Sequence, residues 1–222
     1  MNRMFRVKIC GLRDREAAAA CVAAGADALG LNFYPTSPRY VSPHVAAGIC
    51  ETLPPEVARV GVFVNSPPET LRQIALRLNL NWLQLHGDET PEMLRLLKPW
   101  PIIRAFRPGK DGARPVLDYV EACRQAGQLP AAVLIDACRP GQYGGTGQKA
   151  DWQLVAQLVR QLHPLPVILA GGLTPENVAD AIHNTRPSAV DTASGVESGP
   201  GKKDLDRVRE FVVRAHKALD SL

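Results

Sequence analysis

Ala132-Val133-Leu134-Ile135-Asp136 is the stretch on which the reading of the whole chain turns. Four consecutive apolar residues, two of them β-branched, fit a strand covered on both faces, as in a parallel sheet. The residue that closes the run is an acid. Working outward, seven further runs of the same kind lie at 5–10, 27–33, 59–64, 82–86, 102–106, 166–170 and 189–193. Segments of helical period separate and follow them, at 13–24, 43–52, 68–78, 91–97, 114–126, 151–161, 175–183 and 204–219. Ser42-Pro43, Thr90-Pro91 and Thr174-Pro175 each set a capping hydroxyl before a proline at the first helical position. Strict alternation of eight β-α units predicts an α/β chain closed into a single-domain (β/α)8 TIM barrel over residues 1–222. An open doubly wound sheet would carry G-x-G-x-x-G after its first strand, where Cys10-Gly11-Leu12-Arg13 stands instead.

Composition narrows the function classes. The 222 residues are 45% hydrophobic and 22% charged, with 18 Gly and 19 Pro, which excludes a disordered or collagen-like chain. Twenty-six Lys and Arg against 22 Asp and Glu leave a net charge of only +4, so no nucleic-acid partner is expected. That bias suits a small anionic ligand. No stretch approaches the roughly 20 apolar residues of a membrane span, and Arg3 and Arg6 are not followed by the apolar core of a secretory signal. Cys10, Cys21, Cys50, Cys123 and Cys138 are odd in number and form no C-x-x-C pair, so neither a disulfide framework nor a zinc ribbon is expected. These features point to a reduced, cytoplasmic protein.

In a barrel of this kind chemistry belongs at the C-terminal ends of the strands. Lys8 and Cys10, two apart, share a face, and the cation would favour a cysteine thiolate. Cys10 could equally be a small core residue, and Lys8 a Schiff-base amine or an ion-pair partner. Asp136 ends its strand well before the next helix, so helix capping explains it poorly, and partial burial suits it to general-acid work. The glycine-rich loop 141–147 that follows could be a lid or equally an ordinary long loop. Gly171-Gly172 after the seventh strand and Ser194-Gly195 after the eighth are small-residue loops where backbone N–H groups can cradle phosphate. Arg39 could clamp a carboxylate, while His86, without a second ligand nearby, reads as a hydrogen-bonding group rather than a zinc ligand. Lys202-Lys203-Asp204, Arg207 and Arg209 read as a solvated helix start and face.

Taken in order, these segments resemble one family. They are Lys8-Ile9-Cys10-Gly11, Gly25-Ala26-Asp27-Ala28-Leu29-Gly30, Phe33-Tyr34-Pro35-x-Ser37-x-Arg39-Tyr40-Val41, Val60-Gly61-Val62-Phe63-Val64-Asn65, Leu83-Gln84-Leu85-His86-Gly87, Gly144-Gly145-Thr146-Gly147, Ala170-Gly171-Gly172-Leu173 and Ser194-Gly195-Val196-Glu197. The chain resembles the phosphoribosylanthranilate isomerases of tryptophan biosynthesis from Lys8 to the Gly201-Lys202-Lys203-Asp204 segment. The resemblance implies an Amadori rearrangement with Cys10 as general base and Asp136 as general acid. It also implies Arg39 at the anthranilate carboxylate, and phosphate held near Gly171, Gly172, Asp191, Ser194 and Gly195, with Lys8 and His86 in support. Neither metal nor cofactor is implied. The partner is a small phosphorylated molecule, and the chain is a monomer by default, though helix faces could pair into a homodimer. Where the family commonly has Asp-Val-Ser-Ser-Gly-Val-Glu, this chain reads Asp191-Thr192-Ala193-Ser194-Gly195-Val196-Glu197, without the hydroxyl at position 193. Two other readings compete: a lyase or aldolase using Lys8 as an amine, and a phosphate-binding barrel without catalysis. A related isomerase of histidine synthesis typically has an aspartate where Cys10 stands.

Overall fold

The computed structural model describes residues 4–136 and 151–222. Eight parallel strands form a closed barrel in chain order: β1 Val7–Cys10, β2 Ala28–Asn32, β3 Ala58–Phe63, β4 Trp82–Leu85, β5 Ile102–Phe106, β6 Ala132–Asp136, β7 Val167–Ala170 and β8 Ala189–Thr192. The helices that follow them are α1 Arg15–Ala23, α2 Pro43–Cys50, α3 Pro68–Arg77, α4 Met93–Leu96, α5 Arg114–Gln125, α6 Trp152–Leu162, α7 Val178–Thr185 and α8 Leu205–Asp220. The barrel closes where β1 pairs with β8, with Lys8 opposite Asp191 and Ile9 opposite Thr192. No helix among the described residues is long and apolar enough to cross a membrane.

Strand alternation divides the apolar residues into two cores. Ile9, Leu29, Leu83, Val133, Ile135 and Leu169 face outward and pack against the helices. Ala28, Val60, Trp82, Ile103, Leu134 and Ile168 face the barrel axis, with Phe5 edge-on to Trp82. Each fully buried Leu, Ile or Val side chain contributes roughly 1.5–3 kcal/mol. The same alternation that sends Leu134 inward sends Asp136 into the mouth, and Lys8 and Cys10 follow it on β1.

Helix starts depart from expectation in two places. Ser42 caps α2 as its sequence suggests, accepting from Val45 N at 3.3 Å. Before α7, however, Asn177 Oδ1 accepts from Thr174 N at 2.8 Å and its Nδ2 donates to Gly172 O at 3.0 Å. The backbone turns there, Asn177 N donating to Thr174 O at 3.2 Å, and the helix begins at Val178 rather than Pro175. Thr90 and Pro91 likewise lead through a turn into a short α4. Asp14 and Asp204 cap α1 and α8 through bonds of 2.7 and 3.1 Å. After β8 the chain forms a short helical turn, Ser194–Val196, then two short antiparallel strands, β9 Glu197–Gly199 and β10 Lys202–Lys203. Cys138 and the candidate lid 141–147 lie outside the described residues.

Candidate active site

Register places the first candidate. Cys10 pairs with Gly30 across β1 and β2, and a Cβ at Gly30 would sit 2.6 Å from Cys10 Sγ, so only glycine leaves the sulfur its place. Two residues earlier, Lys8 is fully buried and its Nζ donates to Asp191 Oδ1 at 2.8 Å. Burial works against the Lys8 charge, but the Asp191 carboxylate outweighs it and holds the ammonium above its ordinary range. An amine held in that state is a poor Schiff-base nucleophile, which weighs against the aldolase reading. Asp191 is thus committed to Lys8 inside the barrel rather than presented on the phosphate loop.

Lys8 favours the Cys10 thiolate, as its place on the same face leads one to expect, but burial weighs more. Burial pushes the thiol up, Lys8 pulls it partway back, and Asp191 pushes it up again, so the net shift is upward. Much of the lysine's charge is spent on its carboxylate partner.

Across the mouth, Asp136 ends β6 half-buried, and Arg107 Nε donates to its Oδ2 at 3.2 Å. Arg107 has a signal in the sequence akin to that of Asp136, a charge directly after a strand, Ile102–Phe106. His86 follows β4, its Nδ1 3.3 Å from Gln84 Nε2. Burial, then the Arg107 charge, pull the His86 pKa down to about 4. His86, Asn65, Asp88, Arg104, Phe106 and Arg107 border a cleft of about 390 Å³. Arg104, beneath it, donates to the carbonyls of Leu85, Ala105 and Gly87 and lies 4.7 Å from the Phe106 ring centre. No three His, Cys, Asp or Glu side chains among the described residues group as a metal would need.

The phosphate candidates come together at the ends of β7 and β8. Gly171 and Gly172 have φ of +92° and +65°, a backbone path that residues with a Cβ rarely take. Gly195 lies so close to this loop that a Cβ would be 1.7 Å from Leu173 O. Thr192 Oγ1 donates to the same carbonyl at 2.7 Å, so its hydroxyl does not replace the one missing at Ala193. Arg207 joins the two loops, donating to Gly195 O at 3.1 Å and pairing with Glu176.

Arg39 reaches the mouth from the turn after β2. Its Nε and Nη2 donate to Glu197 Oε1 and Oε2 at 2.8 and 2.7 Å. Lys203 donates to Glu197 Oε1 at 2.9 Å and to Ala193 O at 3.0 Å. The Arg207 side chain is 35% exposed, but Lys203 does not belong to a solvated face: it is buried because Glu197, its register partner across the β9–β10 pair, compensates its charge.

Residues 7–214 match the family model for N-(5′-phosphoribosyl)anthranilate (PRA) isomerase. The chain is 46% identical to N-(5′-phosphoribosyl)anthranilate isomerase of Trichlorobacter lovleyi, over 97% of this chain and all of that one. It is 48% identical to the enzyme of that name from Geobacter sulfurreducens, over 96% of this chain and 98% of that one. The crystal structure of phosphoribosyl anthranilate isomerase from Thermotoga maritima superposes with a TM-score of 0.84 at 41% identity, covering 96% of this chain and all of that one. A second structure, of the isomerase in complex with reduced 1-(o-carboxyphenylamino)-1-deoxyribulose 5-phosphate, gives 0.80 at 40% identity, with 96% and 100% coverage.

Proposed function

The chain is an enzyme of the N-(5′-phosphoribosyl)anthranilate isomerase family, and on that premise we propose that it rearranges N-(5-phosphoribosyl)anthranilate to 1-(2-carboxyphenylamino)-1-deoxyribulose 5-phosphate, with Asp136 as general acid and Cys10 as general base. The observation that carries this reading is that β1 and β6 deliver these two side chains, of the two types the chemistry needs, to one end of one barrel.

Asp136 protonates the ribose ring oxygen as the C1′–O bond breaks, and the anthranilate nitrogen lone pair closes a protonated Schiff base. The Cys10 thiolate then removes the C2′ proton. The electrons of that C–H bond form C1′=C2′ and neutralise the nitrogen, giving an enolamine. A proton returns to C1′ while the C2′ hydroxyl becomes the ketone, so the sequence is redox-neutral overall. Proton transfers by positioned groups of this kind contribute about 10²–10⁴-fold each. The Lys8 ammonium supplies the countercharge for the thiolate. Backbone N–H groups of Gly171, Gly172, Ser194 and Gly195 hold the substrate phosphate, and Arg39 meets the anthranilate carboxylate. The four described cysteines are free and buried, which supports placing the reaction in a reducing, cytoplasmic setting.

The test is to mix the protein with freshly generated phosphoribosylanthranilate and follow the loss of substrate fluorescence without added metal or cofactor. The reading predicts protein-dependent decay far faster than spontaneous hydrolysis. A folded protein that leaves the hydrolysis rate unchanged contradicts it.

A further inference from the structure

We infer that Glu197 and Lys203 are positioning residues that aim Arg39 at the carboxylate of the substrate and keep its charge available for that group. The inference rests on the isomerase reading above and concerns two residues which that mechanism leaves without a role.

Three observations carry it. The Arg39 stem lies across Gly11, where a Cβ would come within 2.6 Å of Arg39 Cδ, so the guanidinium stands beside the strand end that bears Cys10. Glu197 grips it side-on through Nε and Nη2, which fixes the guanidinium plane. Nη1 donates to no acceptor among the described residues, and the Arg39 side chain remains 23% exposed while that of Glu197 is 3% exposed. A grip of this kind alone would spend the charge it positions, because Arg39 and Glu197 together are neutral. Lys203, 1% exposed, shares Glu197 Oε1 and restores a net charge of +1 to the cluster. Since Lys203 is sealed inside, the only part of the cluster open to a ligand is the Arg39 guanidinium. Burial pushes the Glu197 carboxyl up, but the hydrogen bonds from Arg39 and the Lys203 charge outweigh it and hold it below its ordinary value. A buried lysine kept for packing alone would be costly, which makes its position beside this glutamate informative.

The test compares two ligands by titration calorimetry: reduced 1-(2-carboxyphenylamino)-1-deoxyribulose 5-phosphate and its counterpart lacking the ring carboxyl. Charge-assisted hydrogen bonds lead to an expected preference of about 10- to 100-fold for the carboxylated ligand in the unaltered protein. Lys203→Met loses most of that preference and Lys203→Arg keeps it. Glu197→Asp, which preserves every charge but withdraws the grip by one methylene, loses part of it. A purely structural role would weaken both ligands alike and leave the ratio untouched. An unchanged ratio in folded Lys203→Met overturns the inference; should that variant not fold, an unchanged ratio in Glu197→Asp does so. An unaltered protein that isomerises its substrate yet shows no preference between the ligands overturns this inference alone. One that binds neither ligand and shows no turnover takes the isomerase reading down with it.

Discussion

The two halves of the barrel mouth are built differently. On the side of β8, β1 and β2 the charges are buried and paired: Lys8 with Asp191, and Arg39 and Lys203 with Glu197. On the side of β4, β5 and β6 a buried pair, Arg104 with Glu89, lies beneath a rim whose polar groups are more open. The Arg107 side chain is 66% exposed and touches Asp136 at 3.2 Å, and buried His86 Nε2 has no hydrogen-bond partner among the described residues. The first half is set on folding, since buried charges survive only in good geometry with their partners in place. The second half leaves polar groups for a ligand to complete. The base proposed above, Cys10, belongs to the first half, and the proposed acid, Asp136, to the second.

The largest effect that would sharpen this contrast is on turnover. Cys10→Ala and Asp136→Asn should each lower kcat/KM by about 10²–10⁴-fold while leaving thermal unfolding near that of the unaltered protein. Near-normal kinetics in either variant would break the assignment of one catalytic group to each half. Stability should divide the other way. Lys8→Met leaves Asp191 buried without its cation and should cost about 3–5 kcal/mol in urea unfolding. Arg107→Ala, at an exposed pair, should cost less than about 1 kcal/mol. Equal losses would erase the distinction between the halves. The smallest effect is spectroscopic: the His86 ring, followed by NMR, should stay neutral until pH falls to about 4. Titration near the ordinary 6.5 would mean that the open half is far more hydrated than its burial indicates.

This division also marks what the sequence makes legible. The barrel is readable because short apolar runs such as 132–135 and 167–170 fit a covered strand, and because alternation then fixes which side chains look inward. Cys10, Asp136 and the glycine loops are readable because each closes such a run or follows it directly. The charges of the paired half are not. Lys203 and Arg207 sit in a stretch whose composition is that of any exposed helix start. What buries Lys203 is Glu197 across a short turn, and Glu197 is itself gripped by Arg39, 158 residues away in sequence. Asp191 was drawn to the phosphate loop by its neighbours, whereas pairing across the closing seam of the barrel gives it to Lys8. Similarly, Thr174 has the look of a cap, but α7 begins only at Val178, after a turn. Long-range partners decide Glu197 and Asp191, and a local pattern carries no record of them.

Cys10, the base proposed above, has a thiol raised by burial despite the lysine beside it. The measurement that tests that role most directly is the pH dependence of kcat/KM, which reports groups of the free enzyme. For the unaltered protein the rate should climb through and beyond pH 9.0, the ordinary cysteine value, as the thiolate fraction grows. Cys10→Asp, with a carboxylate base in the same place, should lose that alkaline rise and run flat above neutral pH. An alkaline limb that persists unchanged in Cys10→Asp would assign the titration to another group and contradict the claim.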